Sequence, residues 1–125
     1  MKRKFNKGQI IFHYSFNEED LHGYGTILKD TVARNAEDIV LIQVNESGEC
    51  ETYADRIMIP SKDTVCKKCG CVICKEPDYT TGVHHLHYCP NCDDYKTFPE
   101  TEKKDPSDFK KRLDDSIEEF KKQMR

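Results

Sequence analysis

The residues best equipped for chemistry are cysteines. Six of the seven lie between positions 66 and 92, and four form two Cys-x-x-Cys pairs. Cys66 and Cys69 stand in CKKCG, and Cys89 and Cys92 stand in CPNCD. A tight turn presents two thiolates at once, and two such turns at this separation supply the four tetrahedral ligands that zinc takes. Cys71 and Cys74 form a competing pair that could replace Cys66 and Cys69. The first set is preferred. Its separation from Cys89 suits two knuckles better, and Gly70 follows Cys69, where the turn favours positive φ. The second set would place its turn on Val72 and Ile73, β-branched residues that fit a strand.

Four thiolates make a closed site with no open position for water, so one zinc ion here is structural and not catalytic. Cys71 and Cys74 then read as small buried hydrophobes. A second zinc at Cys71, Cys74, His85 and His87 is disfavoured, because the two cysteines have opposite strand parity. Cys50 stands apart and reads as a buried thiol. No phosphate-binding glycine loop, HExxH or nucleophile elbow occurs. The acidic run Glu18, Glu19 and Asp20 reads as a solvated loop tip, and neither His13 nor His22 is linked to a nucleophile. The chain is therefore read as a non-enzyme.

The elements that must carry these residues fall into three segments. Residues 1–63 read as β-structure, with strands expected at 9–14, 25–29, 38–44, 51–53 and 57–59. A hairpin turn falls at 45–48, a short turn at 54–56, and Pro60 is expected to end the last strand. Five short strands with one long early loop suit a small closed barrel. The order KGQIIF, polar loop, GYGTI, long third strand, tight hairpin and short turn resembles the SH3-like small barrels. That resemblance implies binding of peptides, nucleic acids or other proteins.

Residues 64–98 place a two-strand hairpin, about 71–75 and 83–88, between the knuckles. Knuckle, hairpin, knuckle resembles a zinc ribbon. Pro90 after Cys89 fits the likeness. Asp93 replaces the glycine often found after the second pair, and aspartate tolerates the left-handed region. Residues 99–125 hold the end of a polar linker (97–104) and a helix. Asp105 is its N-cap, Pro106 its first residue, and Phe109, Leu113, Ile117, Phe120 and Met124 its apolar stripe. The fold class expected is mainly β: an SH3-like barrel, a zinc ribbon and a C-terminal amphipathic helix.

Composition bounds the rest. The chain has 125 residues, 36% hydrophobic and 34% charged, with a net charge of −3. Such a lean core suits small units with metal support. No apolar run spans a bilayer, and the apolar stretch after the basic start is too short for a signal peptide. Free thiols in Cys-x-x-Cys spacing then point to a reducing, cytoplasmic setting. The expected activity is that of an adaptor or regulator binding another protein, a build that suits a bacterial or phage-encoded regulator or inhibitor of a larger complex. Tyr14, Phe16, Tyr24 and Tyr53 are the candidate partner surface on the barrel. The helix residues Phe109, Leu113, Ile117 and Phe120 are expected to dock on the barrel, pair with a second copy, or enter a partner's groove. The alternative is accessory nucleic-acid binding through Lys67, Lys68 and the basic start, which salt would weaken.

Overall fold

The computed structural model describes residues 3–14, 22–44, 48–77, 84–97 and 99–123, with the backbone alone for 76, 77, 84–86 and 123. Phe16, Met124 and most of the expected 45–48 turn lie outside the described residues. The strands are β1 (Arg3–Phe5), β2 (Ile10–His13), β3 (Gly23–Ile27), β4 (Thr31–Ala33), β5 (Ile39–Val44) and β6 (Glu49–Tyr53). After a 3-10 turn at Ala54–Arg56 come β7 (Ile57–Cys66), β8 (Val72–Pro77), β9 (His84–Cys89), β10 (Asp94–Lys96) and β11 (Thr101–Lys103). A 3-10 turn at Pro106–Asp108 leads into helix α1, Phe109–Gln123. The chain is mainly β with one C-terminal helix, as its pattern predicts.

It divides into two compact units. The first holds Met1–Ile59 with Glu76–His85, and the second Pro60–Lys75 with Leu86–Arg125. In the first unit β2 pairs with β3, β3 with β5 and β5 with β6, all antiparallel. The start of β7 returns to β2, setting Met58 opposite Phe12. β1 and β4 form a separate two-stranded ladder. This is a small antiparallel meander to which the start of β7 returns. Its ladders form an open path, since among the described residues no ladder joins β6 to β7. A side-chain bond ties β2 to β6: buried His13 meets Thr52 through Nε2 and Oγ1 at 2.8 Å. Phe5, Ile11, Ile27, Val40, Ile42 and Ile57 fill the interior, and Cys50 packs half-buried against them.

Pro60 does not end a strand; β7 runs on to Cys66. Proline forfeits one ladder donor. Pro60 lies between the ladder to β2 at Ile57–Met58 and the ladder to β11 at Thr64–Cys66. It is also the first residue of the second unit.

In the second unit the expected polar linker contains β11, which sets Thr101 opposite Cys66 and Lys103 opposite Thr64. Lys103 Nζ also reaches Asp63 at 3.5 Å. Helix α1 docks on its own chain. Leu113, Ser116 and Phe120 are buried, with Phe109 and Ile117 half-buried beside them. The Val72 N–H donates to Ser116 Oγ at 2.8 Å, and that hydroxyl donates to the Arg112 carbonyl at 2.9 Å. Arg112 binds Asp108 and the Asp105 carbonyl, which fixes the helix start. Leu113 and Phe120 are therefore core and not a partner surface, because burial inside the chain already satisfies them, while Phe109 and Ile117 stay half-exposed.

Candidate metal centre and exposed apolar face

The two knuckles bring four sulfurs together. The Sγ atoms of Cys66, Cys69, Cys89 and Cys92 all lie within 4.8 Å of one another. Cys69 Sγ is 3.4 Å from Cys89 Sγ, and Cys66 Sγ is 4.0 Å from Cys92 Sγ. Both distances far exceed a disulfide bond of about 2.0 Å. They bracket the separation of about 3.8 Å that four ligands at roughly 2.3 Å from a tetrahedral zinc would show. The donor set and its spacing therefore fit a metal ion.

Local sequence explains the convergence. The first turn closes through the Gly70 N–H to the Cys66 carbonyl at 2.8 Å, with Gly70 at φ 77°. The Cys66 N–H then bonds the Cys71 carbonyl at 2.8 Å, which starts β8. The second turn passes through Asp93 at φ 53°, the expected left-handed residue. Glycine would take that conformation more easily, but aspartate adds a contact: the buried Tyr88 hydroxyl donates to Asp93 Oδ1. Strands β9 and β10 then diverge in register, Asp94 opposite Cys89 and Lys96 opposite His87.

Electrostatics favour a cation among these thiols. Burial pushes the Cys89 and Cys92 thiols up. Burial alone would raise Cys69 too. Hydrogen bonds from the Cys71 backbone, the Asn91 side chain and the neighbouring thiols overcome it and bring Cys69 down to about 7. A bound dication deprotonates such thiols outright and removes the repulsion among them. Lys96 is buried close by. Burial works against its ammonium, but the negative charge that Cys92, Cys66, Asp94 and Glu100 can carry beside it outweighs that and raises its pKa. Sequence reasoning missed Lys96 and Ser116, because their burial depends on β10 and α1 folding back beside the knuckles.

Cys71 is buried among Cys66, Ile73 and Cys89, and burial pushes its thiol up to about 12. Cys74 is buried at the opposite strand parity. The His85 side chain lies outside the described residues. Among the described residues, the four-cysteine cluster is the one group spaced to hold an ion.

The aromatic candidates separate. Tyr24 is buried and packs edge-on against Phe12 at 5.1 Å, so it is core and not a partner surface. Tyr14 is half-buried and meets His22 at 5.6 Å. Tyr53 alone among the described candidates is exposed, at 44%. It stands opposite Ile39, itself 49% exposed, and Arg56 lies over its ring. Ile39 lines a hollow of about 520 Å³ with Leu41 and Val32, which is also 49% exposed. Three of the four large exposed apolar residues described therefore meet on one face of the first unit. Lys67 and Lys68 are exposed on the first knuckle. Arg3 instead donates to the carbonyls of Ala54 and Ile57 at 3.1 Å, which ties the basic start to the last strand.

No protein-family model matches this chain, and neither does any curated protein or solved structure. Among the described residues, no helix is long and apolar enough to cross a membrane.

Proposed function

We propose that this chain is a small zinc-stabilised module that works by binding another protein, as an adaptor or regulator. The face formed by Val32, Ile39, Leu41 and Tyr53 carries the reading. Apolar residues clustered on a surface, rimmed by charge and anchored by a tyrosine beside an arginine, are typical of protein contacts. Zinc is the ion proposed for the four cysteines, because four thiolates select it over hard cations. Its part is structural: it joins β7, β9 and the two knuckles, and so holds the unit against which α1 packs. On the order of ten kcal/mol of folding free energy can come from such a site. The nucleic-acid reading loses Arg3, whose guanidinium is held by backbone carbonyls, and keeps the exposed Lys4 and Lys7 of the basic start and the knuckle lysines.

The test is affinity capture from the native cell with the zinc-loaded chain and with a Val32→Asp, Ile39→Asp variant of unchanged fold. A partner held by wild type and lost by the variant is the expected result. Capture unaffected by the two aspartates refutes the face. Binding of random DNA or RNA that weakens steeply with salt would favour the nucleic-acid reading.

A further inference from the structure

The same face borders an open strand edge, and the charges along that edge define what it would accept. β6 pairs with β5 on one side, and among the described residues no strand pairs with its other side. The direction of its backbone groups follows from the register. The Leu41 carbonyl accepts from the Leu28 N–H at 3.0 Å, on the side of β5 away from β6. In an antiparallel ladder both backbone groups of a residue point the same way, so Leu41 and its partner Glu51 form a pair without mutual hydrogen bonds. The N–H and C=O of Glu51 therefore point outward from the edge. Glu49 and Tyr53, two residues either side, repeat that direction.

All three residues are exposed, and their side chains share the outer face. The edge thus offers backbone donors and acceptors at alternate residues, with the side-chain order Glu, Glu, Tyr. The apolar hollow over Ile39 and Leu41 lies inward of Glu51, with Lys29 and Asp30 on its far rim.

We propose that β6 accepts an extended, basic segment of a partner protein as an added strand. The proposal rests on the protein-binding reading above and names the partner's chemistry. Strand addition draws affinity from main-chain bonds and specificity from alternate side chains. Residues directly opposite on one face interact, and opposite charges there are favourable. The segment therefore carries lysine or arginine opposite Glu49 and Glu51, two residues apart, and an apolar or aromatic residue opposite Tyr53. Charge also argues against a second copy of this chain as the occupant. Two-fold pairing of β6 with itself, centred on Cys50 or Glu51, sets glutamate opposite glutamate, which is destabilising.

The probe is a capped peptide with lysine at two alternate positions and tyrosine two residues beyond, titrated to millimolar concentration into the isotope-labelled, zinc-loaded full chain. Amide shifts and slowed hydrogen exchange at Glu49, Glu51 and Tyr53 are expected. A Glu49→Lys, Glu51→Lys variant should bind it about tenfold more weakly and prefer the glutamate counterpart of the peptide. Equal binding of lysine and glutamate peptides by wild type overturns the proposal, as does the absence of any response at β6. Response at Val32 and Ile39 without β6 overturns strand addition but leaves the apolar face as a protein-binding site. Concentration-dependent dimerisation with slowed exchange at Glu49, Glu51 and Tyr53 would make a second copy the occupant and overturn it as well.

Discussion

Replacing Ser116 by alanine removes one oxygen from the middle of a helix and should destabilise the whole second unit. The hydroxyl accepts the Val72 N–H at 2.8 Å in a buried setting. Alanine leaves that N–H without its partner and out of water. An unsatisfied buried donor costs about 1–3 kcal/mol. Alanine regains about 0.5 kcal/mol as the better helix former. The net loss is then about 0.5–2.5 kcal/mol. With an m-value near 2 kcal/mol/M, the urea midpoint of the zinc-loaded chain falls by about 0.3–1.2 M. Far-ultraviolet circular dichroism reads the midpoint, and hydrogen exchange at Val72 reads the bond itself. Asp115→Ala, on the exposed side of the same helix, should stay within about 0.5 kcal/mol of wild type. A midpoint unchanged by Ser116→Ala, with Val72 exchange unaltered, would refute the docking of α1 on β8.

Three further outcomes follow from the same geometry. Native mass spectrometry should count one zinc per chain, lost in Cys66→Ser plus Cys92→Ser and kept in Cys71→Ala plus Cys74→Ala. Gly25→Ala should destabilise the first unit, because the new Cβ would collide with the Gln43 carbonyl on β5, and the fixed ladder leaves that backbone little room to move; thermal unfolding measures it. Backbone hydrogen bonds hold the carboxyls of Asp38 (from Arg34 and Asn35) and Asp105 (from Ser107) below the usual aspartate value of 3.8. A depressed folded pKa gives stability that is present above the unfolded value and lost as pH falls through the folded one. Carboxyl resonances titrating below 3.8, with acid weakening of the α1 start that Asp105→Asn reduces, are the expected result.

The four-cysteine cluster was the most legible part of the chain, because its signal is local. Two residues between cysteines set the turn, and Gly70 and Asp93 sit where the backbone must go left-handed. The meander of β2, β3, β5 and β6 was legible for a similar reason: β-branched runs such as IVLIQV favour strands, while which of its apolar residues face inward showed only in the fold. β11 was not legible. TEK has no apolar period, and only the open side of β7 makes it a strand. Pro60 misled for the converse reason, since its missing donor matters only where a ladder needs one.

By itself the sequence determined which residues could hold an ion, where the two knuckle turns fall, and that a mainly β chain ends in an amphipathic helix. These depend on spacing of a few residues and on backbone preference, which neighbours in the chain decide. The tertiary structure decided what each apolar residue is for. Leu113 and Phe120 look like a partner surface until Ser116 takes up the Val72 N–H and the docked helix covers them. Tyr24 and Tyr53 are the same residue type, yet one is core and the other exposed. Burial is a property of distant chain segments meeting, and no local pattern specifies which segments meet.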